Sequence, residues 1–410
     1  MNTVIATEEK RELRDILAFI HSELKPQGKL LTPFNIISGA IIILGAILVV
    51  YRLVNGLGAV TNLSQEFPWG IWIGFDVMVG VAFSGGAYVL TFVVYILQVE
   101  KYHSIIRATV LNGLLAYVFY GGAVFLDLGR WWNIANPFYG NEFGVNSVLF
   151  LFAWYFLLYT ITEFVEFSPT IAEWLGMRKL RKFLSSLTVA AAVVGIALST
   201  LHQAGIGALF MMAKGKIHPI WYTEFIPVLF FVSSIFAGLS MVIFEGTISH
   251  RVFSDQIAHE DHAAYDDIII GLSKGCAVAM LVYFFAQVLV FIHGWHWALL
   301  NTPLGYWYLV EIIGLVAIPC LMFFRGVRYR NLLLIRIAAI LAMIGIIINR
   351  LNISIIAYKW WIPFSERYFP SWMEIVITLA IILTEVWVFR WIATRMPVFS
   401  KPPAWAAEKH

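Results

Sequence analysis

Ten apolar stretches constrain this chain more than anything else in it. They cover about residues 32–53, 68–98, 104–130, 146–168, 183–212, 219–249, 268–295, 303–324, 331–351 and 371–395. Each meets the roughly 20 residues that a helix needs to cross a bilayer. Backbone in lipid must satisfy its own hydrogen bonds, which leaves helices for segments of this length. With 60% hydrophobic and 13% charged residues, the composition does not suit a soluble domain. The sequence therefore predicts an all-α polytopic membrane protein with about ten transmembrane helices. An even number of spans puts both termini on one side. That side carries 21 of the 28 Lys and Arg residues, so the charge asymmetry places both termini in the cytoplasm. The net charge of +3 resides at helix ends and in loops and points to no nucleic-acid partner.

Residues 1–31 form a charged N-terminal segment in which Leu13, Ile16, Leu17, Phe19, Ile20 and Leu24 recur at helical spacing. That pattern predicts an amphipathic helix lying on the membrane surface or against a soluble partner. The membrane domain spans 32–395, and 396–410 is a cytoplasmic tail. Two spans open alike, with Pro68-Trp69 and Pro219-Ile220-Trp221. This predicts a parallel duplication into two four-helix bundles, 68–212 and 219–351, with the first and tenth spans as flanking helices. The loops opposite the termini are rich in tryptophan, which reads as an aromatic belt or as a docking surface.

Cys276 and Cys320 both lie in apolar segments and form no Cys-x-x-Cys, so this chain holds no iron–sulfur cluster or covalent haem. A haem b needs two histidines at matching depth on facing helices. Only His202 lies well inside, with His293 near a boundary, so the sequence predicts no haem. His259-Glu260-Asp261-His262 reads as a solvated loop rather than a metal site.

Ionisable groups inside a membrane are functional candidates by default. Asp76 lies roughly 12 Å past Pro68, at 1.5 Å per residue. Asp127 and Arg130, at the end of the third span, are spaced i,i+3 and so lie on one helical face, and read either as a structural ion pair or as part of a site. His202 lies two to three turns below the outer end of its span. Asp76, Asp127, Arg130 and His202, with Trp69 above them, form one candidate pocket of acid, base and guanidinium around a neutral, two-proton redox ligand. Glu163, Glu166 and Glu245 lie toward the other face. Together with Asp76 and His202 they mark a candidate proton path, unless basic partners such as Arg178 and Arg251 merely neutralise them. Glu311 and Glu385 near mid-depth must be paired, protonated or hydrated. Asn349, Arg350 and Asn352 gather at one helix end as a structural or a substrate-lining cluster.

Eight motifs occur in a telling order. They are Phe67-Pro68-Trp69-Gly70-Ile71-Trp72 with Asp76, Asp127-Leu128-Gly129-Arg130, Val145-Asn146-Ser147-Val148-Leu149-Phe150, Glu166-Phe167-Ser168-Pro169, His202-Gln203, His218-Pro219-Ile220-Trp221, Phe244-Glu245-Gly246 and Phe369-Pro370-Ser371-Trp372. In this order they resemble the NrfD/PsrC (polysulfide-reductase-like) family of integral membrane subunits over about residues 30–395. Within it, the chain looks closest to the HybB branch of hydrogenase-2-type membrane subunits. The resemblance implies a haem-free anchor of the bacterial inner membrane that reacts with menaquinone. It implies a periplasmic ferredoxin-like iron–sulfur subunit as partner, with a catalytic subunit such as a hydrogenase, another oxidoreductase or a multihaem cytochrome. It carries over Trp69, Asp76, Asp127, Arg130 and His202 as quinone-site residues and Glu166 and Glu245 as proton-path members. One position departs: where many relatives carry glutamate, this chain has Leu151, and Glu163 is about 18 Å further along a helix. Two other readings compete. A passive anchor for a periplasmic oxidoreductase would tolerate loss of Asp76 and Arg130 together, and a secondary transporter would show inverted repeats with broken helices.

Overall fold

A computed structural model describes residues 13–26, 31–140, 144, 147–256 and 259–399. The N-terminal residues 1–12, Val145 and Asn146 of the third motif, and the tail from 400 onward lie outside the described residues. Among those described, ten helices are long and apolar enough to cross a membrane. Helix α1 (Leu13–Glu23) precedes them. The spans are α2 (Pro33–Asn55), α3 (Trp72–Ile96), α4 (Glu100–Asp127), α5 (Val148–Trp174), α6 (Arg178–Met211), α7 (Ile226–Val252), α8 (Ala264–Gly294), α9 (Pro303–Arg328), α10 (Leu332–Ile356) and α11 (Trp372–Arg395). The backbone of α8 is already helical from His259, so the segment read as a loop begins a helix; its side chains lie outside the described residues. The side with both ends of the chain is called inner, the other outer.

Local chemistry sets the helix ends. Thr32 caps α2 by accepting from the Asn35 amide at 3.2 Å, with Pro33 in the first turn, where no donor is needed. Ser371 and Glu374 close a reciprocal capping box at the start of α11. Between α5 and α6, Gly176 takes φ +72°, and the Met177 amide reaches back to the Ala172 carbonyl at 2.9 Å. This tight reversal suits glycine and folds α5 and α6 into a hairpin.

Helices α3 to α6 pack in sequence order and α6 returns to α3, which makes one four-helix bundle. Helices α7 to α10 do the same, and α2 and α11 flank the first bundle by packing on each other and on α4. The bundles meet where α3 crosses α7. A Cβ on Gly238 would fall into the backbone of Gly85 and Gly86, so the two helices touch main chain to main chain, as small residues allow in membranes. The halves also repeat a contact: Gln203 on α6 donates to the Val81 carbonyl on α3 at 2.6 Å, and Arg350 on α10 donates to the Phe230 carbonyl on α7 at 3.4 Å. Gly238→Val is expected to force α3 and α7 apart and destabilise the fold by about 3 kcal/mol, the upper range for overpacking. Thermal unfolding in detergent measures this, and an unchanged midpoint would show that the crossing tolerates side chains.

Helix α1 packs against the protein itself rather than lying free. Phe19 meets Trp174 of α5 with ring centroids 5.2 Å apart. Arg395 of α11 donates to the carbonyls of Glu23 at 2.6 Å and Lys25 at 2.8 Å. Leu17 and Leu24 stay exposed, facing away from this contact.

Among the described residues, four wide π-type turns interrupt the regular helices: Trp72–Val77, Phe92–Ile96, Val310–Ala317 and Asn352–Ile356. Such turns recur at functional sites. Asp76 lies in the first and Glu311 in the third.

Candidate functional site

The outer half of the first bundle holds two polar clusters, and the expected single pocket divides between them. The first lies among α2, α3, α4 and α11. Asp76 is fully buried; its Oδ2 accepts from the Thr378 hydroxyl of α11 at 2.9 Å, while Oδ1 has no partner. Trp72 is fully buried among Leu48, Leu126 and Ile377, and its Nε1 also lacks an acceptor. Asp127 is the last residue of α4, with Oδ1 buried and unpartnered.

The guanidinium beside Asp127 is that of Arg52, not Arg130. Helix α4 stops at Asp127 because Leu128 turns to extended backbone, ψ 120°, so the i,i+3 face expected for Asp127 and Arg130 does not exist. Arg130 is exposed and, among the described residues, makes no ion pair with Asp127. Arg52, fully buried at the end of α2, donates through Nε to the Leu126 carbonyl at 2.8 Å and through Nη2 to that of Leu128. These are orphan carbonyls of a helix C-terminus, where a cation is favoured, and the same charge acts on Asp127. Arg52 was legible as an arginine in the last turn of an apolar span. Glu374 adds a further carboxylate to this neighbourhood, saturated by the Tyr368 hydroxyl at 2.5 Å and the amides of Asn62 at 3.1 Å and Ser371 at 2.8 Å.

The second cluster is inside the bundle. His202 of α6 is fully buried; its Nδ1 bonds the Tyr117 hydroxyl of α4 at 2.8 Å. Its ring stacks on Phe152 of α5 with centroids 4.5 Å apart. Nε2 has no partner. If Tyr117 donates to Nδ1, Nε2 carries the hydrogen and presents a donor. Ser84 and Ser199 flank the Tyr117 hydroxyl, and Glu163 lies below beside Tyr159, with both carboxylate oxygens buried. Glu166, one turn further, accepts from Thr91 at 3.3 Å. Two cations of the inner face serve another acid: Glu173 pairs with Arg107 at 2.9 Å and Arg181 at 3.5 Å. Among the described residues, Glu166 and Glu245 are in no ion pair, so the neutralising partners considered for them are not in place.

Trp69 stands outside both clusters. Its ring meets Phe210 at 4.9 Å and Tyr358 at 5.5 Å between centroids, pinning the start of α3 to the outer ends of α6 and α10. His202 and His293, the pair that a haem b would need, lie on different bundles, and His293 is exposed. Among the described residues no group of three or more His, Cys, Asp or Glu side chains is placed to hold a metal ion.

In the second bundle, Glu311, Asn349, Arg350 and Asn352 come together in one network. Glu311 accepts from Trp221 Nε1 at 2.7 Å, Asn349 Nδ2 at 2.7 Å and Asn352 Nδ2 at 2.6 Å. Arg350 donates to Asn349 Oδ1 at 2.7 Å and Ser233 Oγ at 2.8 Å, with its guanidinium 3.7 Å from the Phe230 ring centroid. Both oxygens of Glu311 are engaged, and the three bonds tie the loop before α7 and helix α10 to α9. Nearby, in the outer loop, burial holds the His218 imidazole down to about 4. It is neutral, and its Nδ1 accepts from the Ile220 amide at 3.3 Å.

Residues 59–362 match the family described as polysulphide reductase, NrfD. The chain is 41% identical over 374 residues to a relative from Nitratidesulfovibrio vulgaris named only as a protein, which covers 91% of this chain and 96% of that one. It is 28% identical over 381 residues to the probable Ni/Fe-hydrogenase 2 b-type cytochrome subunit of Escherichia coli, covering 92% and 94%. It is 26% identical over 394 residues to the integral membrane subunit of a menaquinone reductase from Nitratidesulfovibrio vulgaris, covering 85% and 87%.

Proposed function

The chain belongs to the polysulphide reductase, NrfD, family, and on that premise we propose that it is the quinone-reactive membrane subunit of a respiratory redox complex. It exchanges electrons between menaquinone and a periplasmic subunit that carries iron–sulfur clusters or several haems, beside a catalytic subunit such as a hydrogenase. It resides in the bacterial inner membrane with both termini cytoplasmic. Relatives named as subunits of a hydrogenase and of a menaquinone reductase support this reading.

The observation that carries it is a set of buried polar atoms with no hydrogen-bond partner among the described residues: Trp72 Nε1, Asp76 Oδ1, Asp127 Oδ1 and His202 Nε2. Unsatisfied groups in a membrane interior are costly and imply a ligand or water. The donors among them, Trp72 Nε1 and His202 Nε2, suit a quinone, whose carbonyl oxygens accept hydrogen bonds, and the carboxyls of Asp76 and Asp127 suit the two protons that its reduction takes. When bound, the quinone supplies the two-electron, two-proton chemistry, and the protein positions it and moves the protons. His202 Nε2 donates to one carbonyl oxygen. Its proton is replaced through Nδ1 from Tyr117, with Glu163 and Glu166 behind it toward the inner face. Asp76 and Asp127 lie in the other cluster, with Arg52 rather than Arg130 setting the charge beside Asp127.

Asp127→Asn in the assembled complex is expected to lower menaquinone-linked electron transfer about 100-fold, in the range for loss of one acid–base group. Assembly should persist, because Arg52 keeps both of its carbonyl partners. Wild-type turnover in that variant would remove the first cluster from the quinone chemistry.

A further inference from the structure

The two bundles arrange matching residues around one point in each half. Gln203 and Arg350 make the same contact in their halves, which sets His202 of α6 against Asn349 of α10. Phe156 lies eight residues past Val148, the first of α5, and Glu311 lies eight past Pro303, the first of α9. Tyr117 lies ten residues before Asp127, the last of α4, and Tyr283 lies eleven before Gly294, the last of α8. We propose that Glu311 fills, in the second bundle, the place that the acceptor oxygen of a ligand takes in the first, beside His202, Tyr117 and Phe156. This deepens the quinone-linked reading and rests on it for the identity of the ligand alone.

In the second bundle the donors are satisfied from within. Glu311 Oε1 accepts from Asn349 Nδ2 at 2.7 Å. Its Oε2 accepts from Asn352 Nδ2 at 2.6 Å and Trp221 Nε1 at 2.7 Å. Little space remains beside them: the cavity lined by Trp221, Tyr283, Gln287 and Asn349 measures about 10 Å3, room for about one water. The Gln287 amide closes its far side by donating to the Tyr283 hydroxyl at 2.7 Å.

In the first bundle the frame persists and the acceptor is gone. Phe156 stands at the Glu311 position, its ring centroid 5.5 Å from that of Tyr117 and 5.9 Å from that of His202. One turn earlier on each helix, Phe152 stacks on His202, while Trp307 donates to Asn352 Oδ1 at 2.8 Å. Gly205 stands at the Asn352 position, and a Cβ there would meet no atom within 4 Å. His202 Nε2, the counterpart of Asn349 Nδ2, is buried without a hydrogen-bond partner among the described residues. One copy of the frame thus bonds a carboxylate from its own chain, and the other leaves the matching atom bare. Buried polar atoms are bonded as a rule, so the bare copy calls for an acceptor from outside. A quinone carbonyl oxygen is such an acceptor, and it is neutral, as an apolar membrane interior favours. Phe152 and Phe156 give its ring aromatic walls.

The test puts the missing carboxylate back. Phe156→Glu in the complete complex is expected to engage His202 Nε2 from within. Engaged about 99% of the time, it leaves the site open about 1% of the time and weakens binding of a menaquinone analogue about 100-fold. Quenching of tryptophan fluorescence reads that affinity. His202→Ala should then lower the thermal midpoint by about 3 °C more in the Phe156→Glu background than in the wild type, because it strands a buried carboxylate. Wild-type affinity for the analogue in Phe156→Glu overturns the proposal. So does an equal effect of His202→Ala in both backgrounds, which would mark the new carboxylate as damage alone. A wild-type complex that binds no analogue overturns the quinone reading instead, and the two midpoints still decide whether position 156 reaches His202. Should Phe156→Glu fail to assemble, Phe156→Gln offers a neutral acceptor at the same point, with the same two outcomes overturning the proposal.

Discussion

Glu311→Ala is expected to cost at least about 3 kcal/mol of stability, because it leaves three buried donors without an acceptor at roughly 1–3 kcal/mol each. Those donors are Trp221 Nε1, Asn349 Nδ2 and Asn352 Nδ2, from the loop before α7 and from α10. Arg350, bonded to Asn349, Ser233 and Phe230, would lose its nearest counter-charge as well. Losing one member of a buried charged network is among the most damaging substitutions. Glu311→Gln keeps one acceptor oxygen but points an amide N–H at one of the donors, so its loss should be intermediate. Thermal unfolding followed by tryptophan fluorescence reports this directly, since Trp221 is in the network. An alanine variant as stable as wild type would show that the donors find water, and the cluster would then have to be reconsidered as a solvated site.

His202→Ala is expected to lower quinone-linked turnover by about 10²–10⁴-fold, the range for removing a general acid–base residue, with a much smaller effect on stability. Two observations separate the effects. Nε2 has no partner in the protein to lose, and Nδ1 bonds a tyrosine hydroxyl flanked by two serines that can take its place. Turnover and quinone binding should be measured on the same preparation. Binding that survives while turnover falls assigns His202 to proton transfer; loss of both assigns it to holding the ring. Wild-type turnover would leave Asp76 and Asp127 as the only candidates in the outer half.

The spans were legible because length and hydropathy fix them, whatever packs beside them. Thr32-Pro33 and Ser371-x-x-Glu374 mark helix starts by side-chain chemistry alone. The residues of the site were legible one at a time and their grouping was not. Asp76 and His202 lie at similar depth, yet α3 turns Asp76 toward Thr378 on α11, while α6 turns His202 toward Tyr117 on α4. That phase depends on neighbours distant in sequence. The Asp127–Arg130 pairing failed on a local detail, since the helix ends before Leu128-Gly129. Arg52 was visible only as a charge at a helix end, because its contact with the end of α4 spans 74 residues. The Asn349, Arg350 and Asn352 group could be read either as structure or as lining. Three donors converging on Glu311 favour structure.

The seam at Gly85, Gly86 and Gly238 bears on what can pass through this protein. Carriers that move solutes rock one half against the other around a central chamber, and such motion needs surfaces that slide. Here the halves are joined by backbone pressed on backbone at these glycines, and the Tyr88 hydroxyl bonds Ser234 across the same seam at 2.9 Å. A seam of this kind resists the rocking that would open a central chamber to one side and then to the other. That geometry favours the proposed role, in which only protons and electrons pass, over the carriage of a solute.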